Sequence, residues 1–403
     1  MVKPTERSFN PAPSTVMHVD LNSCFATIEQ QANPKLRGKP IAVAAYTTGN
    51  GCIVAPSVEA KKLGIKVGMR VRDGKVLYPK LIILSPDPDK YRFVHQGLRK
   101  ILSDYTDKIT AKSIDEFVLD IQDLDMWQTG REIKTRTKAE IGEWLTVSVG
   151  IGPNRFLAKT AAGLHKPDGL DEINICNFAE IFLSLKLTDL CGIKTANAAR
   201  LNKMNIFTVL DFYQAPIGIL KLAFQSIAGY YWFRRLHGYE IDEVAWDRKS
   251  FGNSYALHKQ HSQISDLVPI LQKLVEKTGF RLRKAGFSAR GVHISLLYRD
   301  WQYWHHGEVG PTIFDSRDIY KWALQILKTS PRLPVHTLAV SCFDIIKTNF
   351  VQGSLIEDLD KKRRLIEAVD AVNERWGNFV VTSATMFGTD NLVLDRISYN
   401  VIE

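Results

Sequence analysis

Short runs of apolar residues at 16–20, 40–45, 114–121 and 145–151 predict β-strands, and residues 58–63 and 91–105 carry apolar positions at helical spacing. The first block, about 16–170, therefore reads as mixed α/β. Residues 171–239 show short helical periodicities and no convincing strand. Within them "LCGIKTANAARLNKMNIFTVLDF" reads as helix, tight turn at Gly192, helix. A polar connector, "EIDEVAWDRKS", follows. A strand at 251–257 then precedes an amphipathic helix with Leu267, Ile270, Leu271, Leu274 and Val275 on one face. Next come an alternating strand (Val292, Ile294, Leu296, Tyr298) and an aromatic one at 302–306. A helix presenting Ile319, Trp322, Ala323, Ile326 and Leu327 leads to a last strand at 335–343. The order β-α-β-β-α-β predicts a small sheet with two helices on one face. Residues 351–403 read as an appendage, with Leu365, Val369, Val372 and Trp376 at helical spacing and the rest poorly periodic. No repeat of solenoid period is present.

Composition narrows the class. A chain of 403 residues predicts two to four domains at about 150 residues each. No apolar stretch approaches the ~20 residues of a membrane span, and the N-terminus lacks a signal-peptide core. The expectation is a cytoplasmic protein with no membrane partner. The five cysteines are scattered, without C-x-x-C, which argues against a disulfide framework or a zinc site. The net charge of +10 points to a polyanionic partner, nucleic acid before membrane. Residues 250–348 carry thirteen Lys/Arg against seven Asp/Glu, so a quarter of the chain holds over half of the surplus.

In "MHVDLNSCFA" a β-like run ends on a lone Asp20, followed by small residues and then Phe25. Such an aspartate caps a turn or forms half of a metal site. "KSIDEFVLDI" offers the other half, the adjacent acids Asp115 and Glu116 between apolar runs. Neighbours on a strand point to opposite faces, so the pair belongs at a hairpin tip or strand end, where both can turn to one point. Three acids in one place repel one another unless a divalent cation compensates them. The set is hard and oxygen-rich, suited to Mg²⁺ or Mn²⁺, and such a site can hold two ions for in-line displacement at phosphorus. Taken alone, the dipeptide also reads as an exposed turn.

The motifs "VDLNSCF", "GCIVAPSVEAKKLGIKVGM", "SIDEFVLDI", "SVGIGPNRFLAKTAAGLHKPDGL" and the "CGI" hairpin stand in the order found in Y-family (translesion, DinB/UmuC-type) DNA polymerases, which the chain resembles over about residues 16–376. In motif style it is most similar to the UmuC branch. The resemblance implies an α+β multidomain right hand: an N-terminal extension (1–15), a palm (16–23 and 86–172), small fingers (24–85), a helical thumb with a helix-hairpin-helix (173–240), a linker (241–249), a little finger (250–348) and a tail (349–403). It also implies template-directed DNA synthesis past lesions, of low fidelity and without proofreading, on primer-template DNA and dNTPs.

Site residues follow from the same resemblance. Asp20, Asp115, Glu116 and the carbonyl of Leu21 would hold two Mg²⁺ ions, with Mn²⁺ as a substitute, and Asp115 and Glu116 would be catalytic. Asn22 stands where many members have a second aspartate, a position that is not a principal ligand. The amides of Ser23, Cys24 and Phe25 would meet the triphosphate at a helix start, with Lys61 and Lys166 as basic contacts. Phe25 would be the steric gate against ribose, although an isolated Phe is by default core packing. Gly192, Ile193 and Lys194 would offer backbone N–H groups to a DNA phosphate without reading sequence. In "QGSLI", Gln352, Leu355 and Ile356 form a loose version of the peptide that docks bacterial polymerases to the sliding clamp. SOS-type accessory subunits are further expected partners. The rival readings are a non-catalytic Y-family scaffold, another two-metal enzyme such as a nuclease, and a pure DNA-binding module. The first would have lost the carboxylates. The second does not explain the hairpin and the basic domain in this order, and in the third the acids would be needless repulsion.

Overall fold

The computed structural model describes residues 8–243, 248–348, 359–377 and 379–394. They form two compact units that divide within the connector, with residues 8–243 in the first and 248–394 in the second.

The first unit runs, in chain order, β1 (Val16–Leu21), α1 (Cys24–Ala32), β2 (Ile41–Ala44), β3 (Ile53–Pro56), α2 (Val58–Lys62), α3 (Val71–Leu77), β4 (Ile82–Leu84) and α4 (Pro88–Leu102). It continues with β5 (Ile109–Ala111), β6 (Glu116–Asp120), α5 (Met126–Arg136), β7 (Val147–Gly152), α6 (Arg155–Leu164) and β8 (Leu170–Glu172). Five short helices complete it: α7 (Phe178–Ser184), α8 (Thr195–Asn202), α9 (Val209–Gln214), α10 (Ile217–Phe224) and α11 (Ala228–Leu236).

Its main sheet has the order β5-β6-β1-β7-β8. Strand alternation sends Met17, Val19 and Leu21 into a core shared with Phe117, Leu119, Val147 and Val149, and with Tyr91, Val94, Leu98 and Leu102 of α4. The opposite face carries His18 and Asp20 and is covered by α6. That helix approaches β7 closely: a Cβ on Gly150 would lie 2.0 Å from the Ala158 carbonyl oxygen, so only glycine fits. A three-stranded sheet, β3-β2-β4, packs Ile53, Ala60, Ile65 and Val71 into a separate small core. The helices after α6 bury Phe182, Leu190, Ile193, Phe212, Trp232 and Leu236, and Phe9 of the N-terminal segment joins them, stacked on Phe178.

The expected pair of helices around Gly192 is only half present. Gly192 does sit in the left-handed region (φ +94°) ahead of α8, but the arm before it is a 3₁₀ turn, Leu187–Asp189. Lys186 (ψ 151°) and Leu190 (ψ 130°) are extended, which leaves only Leu187–Asp189 between them, too short to close an α-helical ladder.

The second unit comprises β9 (Ser250–His261), α12 (Ile264–Lys284), β10 (Phe287–Tyr298), β11 (Tyr303–Ile313), α13 (Ser316–Lys328), β12 (Val335–Lys347) and α14 (Leu359–Trp376). The antiparallel sheet has the order β11-β10-β12-β9, and α12 and α13 bury Leu271, Leu274, Ile319 and Ile326 against Ile294, Leu296 and Leu338. This is the β-α-β-β-α-β arrangement expected. The tail is less loose than its composition suggests. Lys273 and Lys277 of α12 donate to the carbonyls of Thr389 and Val393 (2.6 Å each), and Met386 and Val393 are buried. Gln352, Leu355 and Ile356 lie outside the described residues. Among the described residues no helix is long and apolar enough to cross a membrane.

Candidate active site

β1 and β6 are antiparallel, and Asp20 is the direct cross-strand partner of Glu116. Their side chains therefore rise from the same face as neighbours. Asp115 precedes β6 at the end of the β5–β6 hairpin, and its carbonyl accepts the Leu21 N–H at 2.9 Å. The main chain thus joins the two carboxylate-bearing segments, as strand ends placed together require. The Asp115 carboxylate accepts from Ser113 Oγ at 2.5 Å. Among the described residues His18, Asp20 and Glu116 bring candidate ligand atoms within 4.8 Å of one another.

Two lysines meet these acids. Lys166 Nζ lies 2.6 Å from Asp20 Oδ1. Lys159 Nζ donates to both oxygens of Glu116, at 2.8 and 2.7 Å. The close packing of α6 on Gly150 is what carries Lys159 to this point. Burial raises the Asp20 pKa, Lys166 opposes that, and the nearby Glu116 and Asp115 charges add to it. For Glu116, burial pushes upward but the hydrogen bond and charge of Lys159 outweigh it, so its pKa falls. Partial desolvation, reinforced by Lys166, holds the Lys61 ammonium below its ordinary value against the pull of Asp20 and Asp115. Lys61 and Lys166 therefore border the same acids. Such a set of hard oxygens fits a divalent cation, and each lysine is a cation already resting where charge compensation is needed.

Ser23, in the left-handed region (φ 48°), turns the chain from β1 into α1, whose first-turn N–H groups have no intrahelical partners. Cys24 is buried, and burial, with Asp115 and Asp20, raises its thiol pKa well above the ordinary value. Phe25 is 3% exposed and stacks on Tyr91 with ring centroids 4.5 Å apart. At the turn around Gly192, Ile193 is buried and its N–H is taken by the Leu190 carbonyl at 3.0 Å, while Gly192 and Lys194 are exposed.

Two neighbours, His18 and Lys159, have no place in the sequence reading, and a third, Asn22, has a different one. His18 sits two residues before Asp20, so strand period places it on the same face, a signal that was available. It is buried, neither ring nitrogen has a partner, and desolvation lowers its pKa to about 4, against the upward pull of Glu116. Lys159 carried no signal short of the packing of α6. Asn22 was read only as a substituted ligand position. It is buried, and its side chain bonds Ser148, Thr146 and Asp168.

Sequence comparison bears on this geometry. A model of the impB/mucB/samB family matches residues 19–163, and the model of that family's C-terminal domain matches residues 248–355. The DNA polymerase IV of Bacillus anthracis is 31% identical over 376 residues, covering 90% of this chain and 91% of that one. The chain belongs to the Y-family DNA polymerases. It is a DNA-directed DNA polymerase of the DinB/UmuC type. The DNA polymerase IV of Moorella thermoacetica is 30% identical over 384 residues, covering 92% of this chain and 95% of its own. Among solved structures, the Y-family DNA polymerase chimera Dbh-Dpo4(243-245)-Dbh matches 82% of this chain and 99% of its own, with 25% identity and a TM-score of 0.73.

Proposed function

We propose that this Y-family polymerase performs template-directed translesion synthesis by two-metal-ion nucleotidyl transfer, with low fidelity and no proofreading. The observation that carries the reading is the cross-strand pairing of Asp20 with Glu116, with Asp115 beside them and Lys166 and Lys61 at the border. Asp20, Asp115, Glu116 and the carbonyl of Leu21 would hold two Mg²⁺ or Mn²⁺ ions. Bound ions would supply activation of the primer 3′-hydroxyl and neutralise charge at the reacting phosphate. The chain's own groups do the positioning. The N–H groups at the start of α1, at Ser23, Cys24 and Phe25, would meet the anionic triphosphate. Lys166 and Lys61 supply positive charge to the triphosphate, and Lys166 leaves Asp20 to do so. Phe25, backed by Tyr91, forms the floor under the sugar. Gly192 and Lys194 of the thumb turn, with the buried Ile193 fixing its shape, meet a DNA phosphate. The basic little finger tracks the DNA backbone. Docking to a sliding clamp through Gln352, Leu355 and Ile356, and cooperation with SOS-type accessory subunits, belong to the same reading.

The test is running-start primer extension by the purified chain, with Mg²⁺ and all four dNTPs, on templates with and without an abasic site. Insertion opposite the abasic site and extension beyond it support the reading. A full stop one nucleotide before the lesion, with normal copying of the undamaged template, contradicts it.

A further inference from the structure

Asn22 directly follows β1, and its side chain reaches between β7 and the segment Lys166–Gly169, where Ser148 is the cross-strand partner of Asp20. Asn22 Oδ1 accepts the backbone N–H of Asp168 at 2.7 Å and the hydroxyl of Thr146 at 3.1 Å. Its Nδ2 donates to Ser148 Oγ at 2.9 Å, and Ser148 Oγ also receives the Gly169 N–H at 3.3 Å. A backbone N–H can only donate, so the Asp168 contact fixes which way round the amide lies. The Asn22 N–H itself is bonded to the Thr146 carbonyl at 2.9 Å. The residue is 4% exposed, so water cannot replace these partners.

Asp168 stands two residues after Lys166 and adopts φ 61°, a conformation an aspartate rarely takes without support. The support comes from two sides. Lys134 donates to the Asp168 carbonyl at 2.6 Å and Lys138 to its carboxylate at 2.8 Å, while Asn22 holds its N–H. Asn22 thus holds the backbone of this loop through its side chain, and it lies two positions from Asp20, the acid that Lys166 reaches. A single strand end thus sets both partners of the Lys166–Asp20 contact.

We infer that Asn22 is a positioning residue for the nucleotide site, which places Lys166 by holding the backbone of Asp168. It acts as a hydrogen-bond acceptor and needs no negative charge for this. An aspartate there would accept the same Asp168 and Thr146 bonds, with Ser148 turned from acceptor to donor, so the two side chains are interchangeable for positioning. The inference rests on the proposed contact of Lys166 with the triphosphate.

The test is a double-mutant cycle read by the dNTP-concentration dependence of single-nucleotide incorporation, which separates the dNTP dissociation constant from the maximal rate. Asn22→Ala leaves two partly buried donors without their partner and should weaken dNTP binding by about tenfold, with the maximal rate falling less than about threefold. Asn22→Asp should stay within about threefold of wild type in dNTP affinity, since the acceptor is kept. In a Lys166→Ala background, Asn22→Ala should add less than about twofold. Should Asn22→Ala fail to melt cooperatively, Asn22→Ser goes through the same cycle. If Lys166→Ala alone leaves dNTP affinity unchanged, the phosphate role of Lys166 fails and takes the inference with it. If Lys166→Ala weakens binding but Asn22→Ala adds its full effect on top, the phosphate role stands and the positioning by Asn22 is overturned. An Asn22→Asp variant as weak as Asn22→Ala overturns it as well.

Discussion

The Lys159 ammonium rests between the two oxygens of Glu116, 2.8 and 2.7 Å away. It is placed there by α6, whose approach needs Gly150. A divalent cation at Glu116 has to compete with this lysine or share the carboxylate with it. Lys159→Met should therefore bind Mn²⁺ more tightly than wild type in the absence of DNA, and should melt lower in EDTA because a partly buried carboxylate has lost its partner. Mn²⁺ should then raise the melting temperature of the variant by more than that of wild type. Equal metal-induced shifts in a thermal melt would show that Lys159 and the ion do not meet.

Phe25 is held from behind by Tyr91, so its ring cannot retreat from a sugar placed above it. Burying an unpaired 2′-hydroxyl costs about 1–3 kcal/mol, a factor of about ten to a hundred in rate before any steric clash. Phe25→Ala should raise ribonucleotide incorporation far more than it lowers deoxynucleotide incorporation. The ratio of kcat/KM for dCTP to that for CTP opposite template G reads this, and an unchanged ratio would make Phe25 core packing alone.

His18 makes the metal-free fold sensitive to acid. Its folded pKa, about 4, lies below the ordinary 6.5 because burial disfavours the imidazolium. Above pH 6.5 both folded and unfolded chains carry a neutral ring, and the contribution is fully present. Below it the unfolded chain takes up a proton that the fold refuses until about pH 4, so stability falls with pH across this window. Between pH 8 and pH 5 the loss from this residue is about 2 kcal/mol. Urea unfolding in EDTA at both pH values should show a smaller drop for His18→Phe than for wild type. The same drop in both proteins would assign the acid sensitivity elsewhere.

The little finger should bind DNA through phosphates. Affinity of the full chain for a primer-template should fall with salt on a log–log plot, with a slope of about −0.9 per phosphate neutralised. Changing sequence at constant length should leave that slope in place. Salt-independent binding, measured by anisotropy, would argue against backbone tracking.

What could be read in the sequence followed the length and regularity of each pattern. The strands β9, β10 and β12 and the helices α12 and α13 are long and periodic, so the β-α-β-β-α-β order was legible. Strands of three or four residues, such as β4, β5 and β8, carry too few positions to show a period. The meeting of Asp20 with Glu116 was legible because both stand at ends of apolar runs. Lys159 was not, since it reaches Glu116 only through the depth to which Ala158 and Gly150 let α6 sink. The arm before Gly192 misled because Leu187, Leu190 and Ile193 are spaced for a helix yet serve the core from a 3₁₀ turn, Leu187–Asp189, and the irregular residues after it. The packing of 379–394 adds lysine-to-carbonyl bonds to the burial of Met386 and Val393, and such bonds leave no trace in the hydrophobic pattern.

The central claim is that Asp20, Asp115 and Glu116 form the metal-binding catalytic centre of a DNA polymerase. It is tested most directly by single-turnover primer extension with the Asp115→Ala/Glu116→Ala double variant, alongside primer-template binding by the same protein. The account predicts that extension in Mg²⁺ or Mn²⁺ is abolished while DNA affinity is largely kept. Extension within about tenfold of wild type, a loss of at most about 1.4 kcal/mol of transition-state stabilisation, would contradict it.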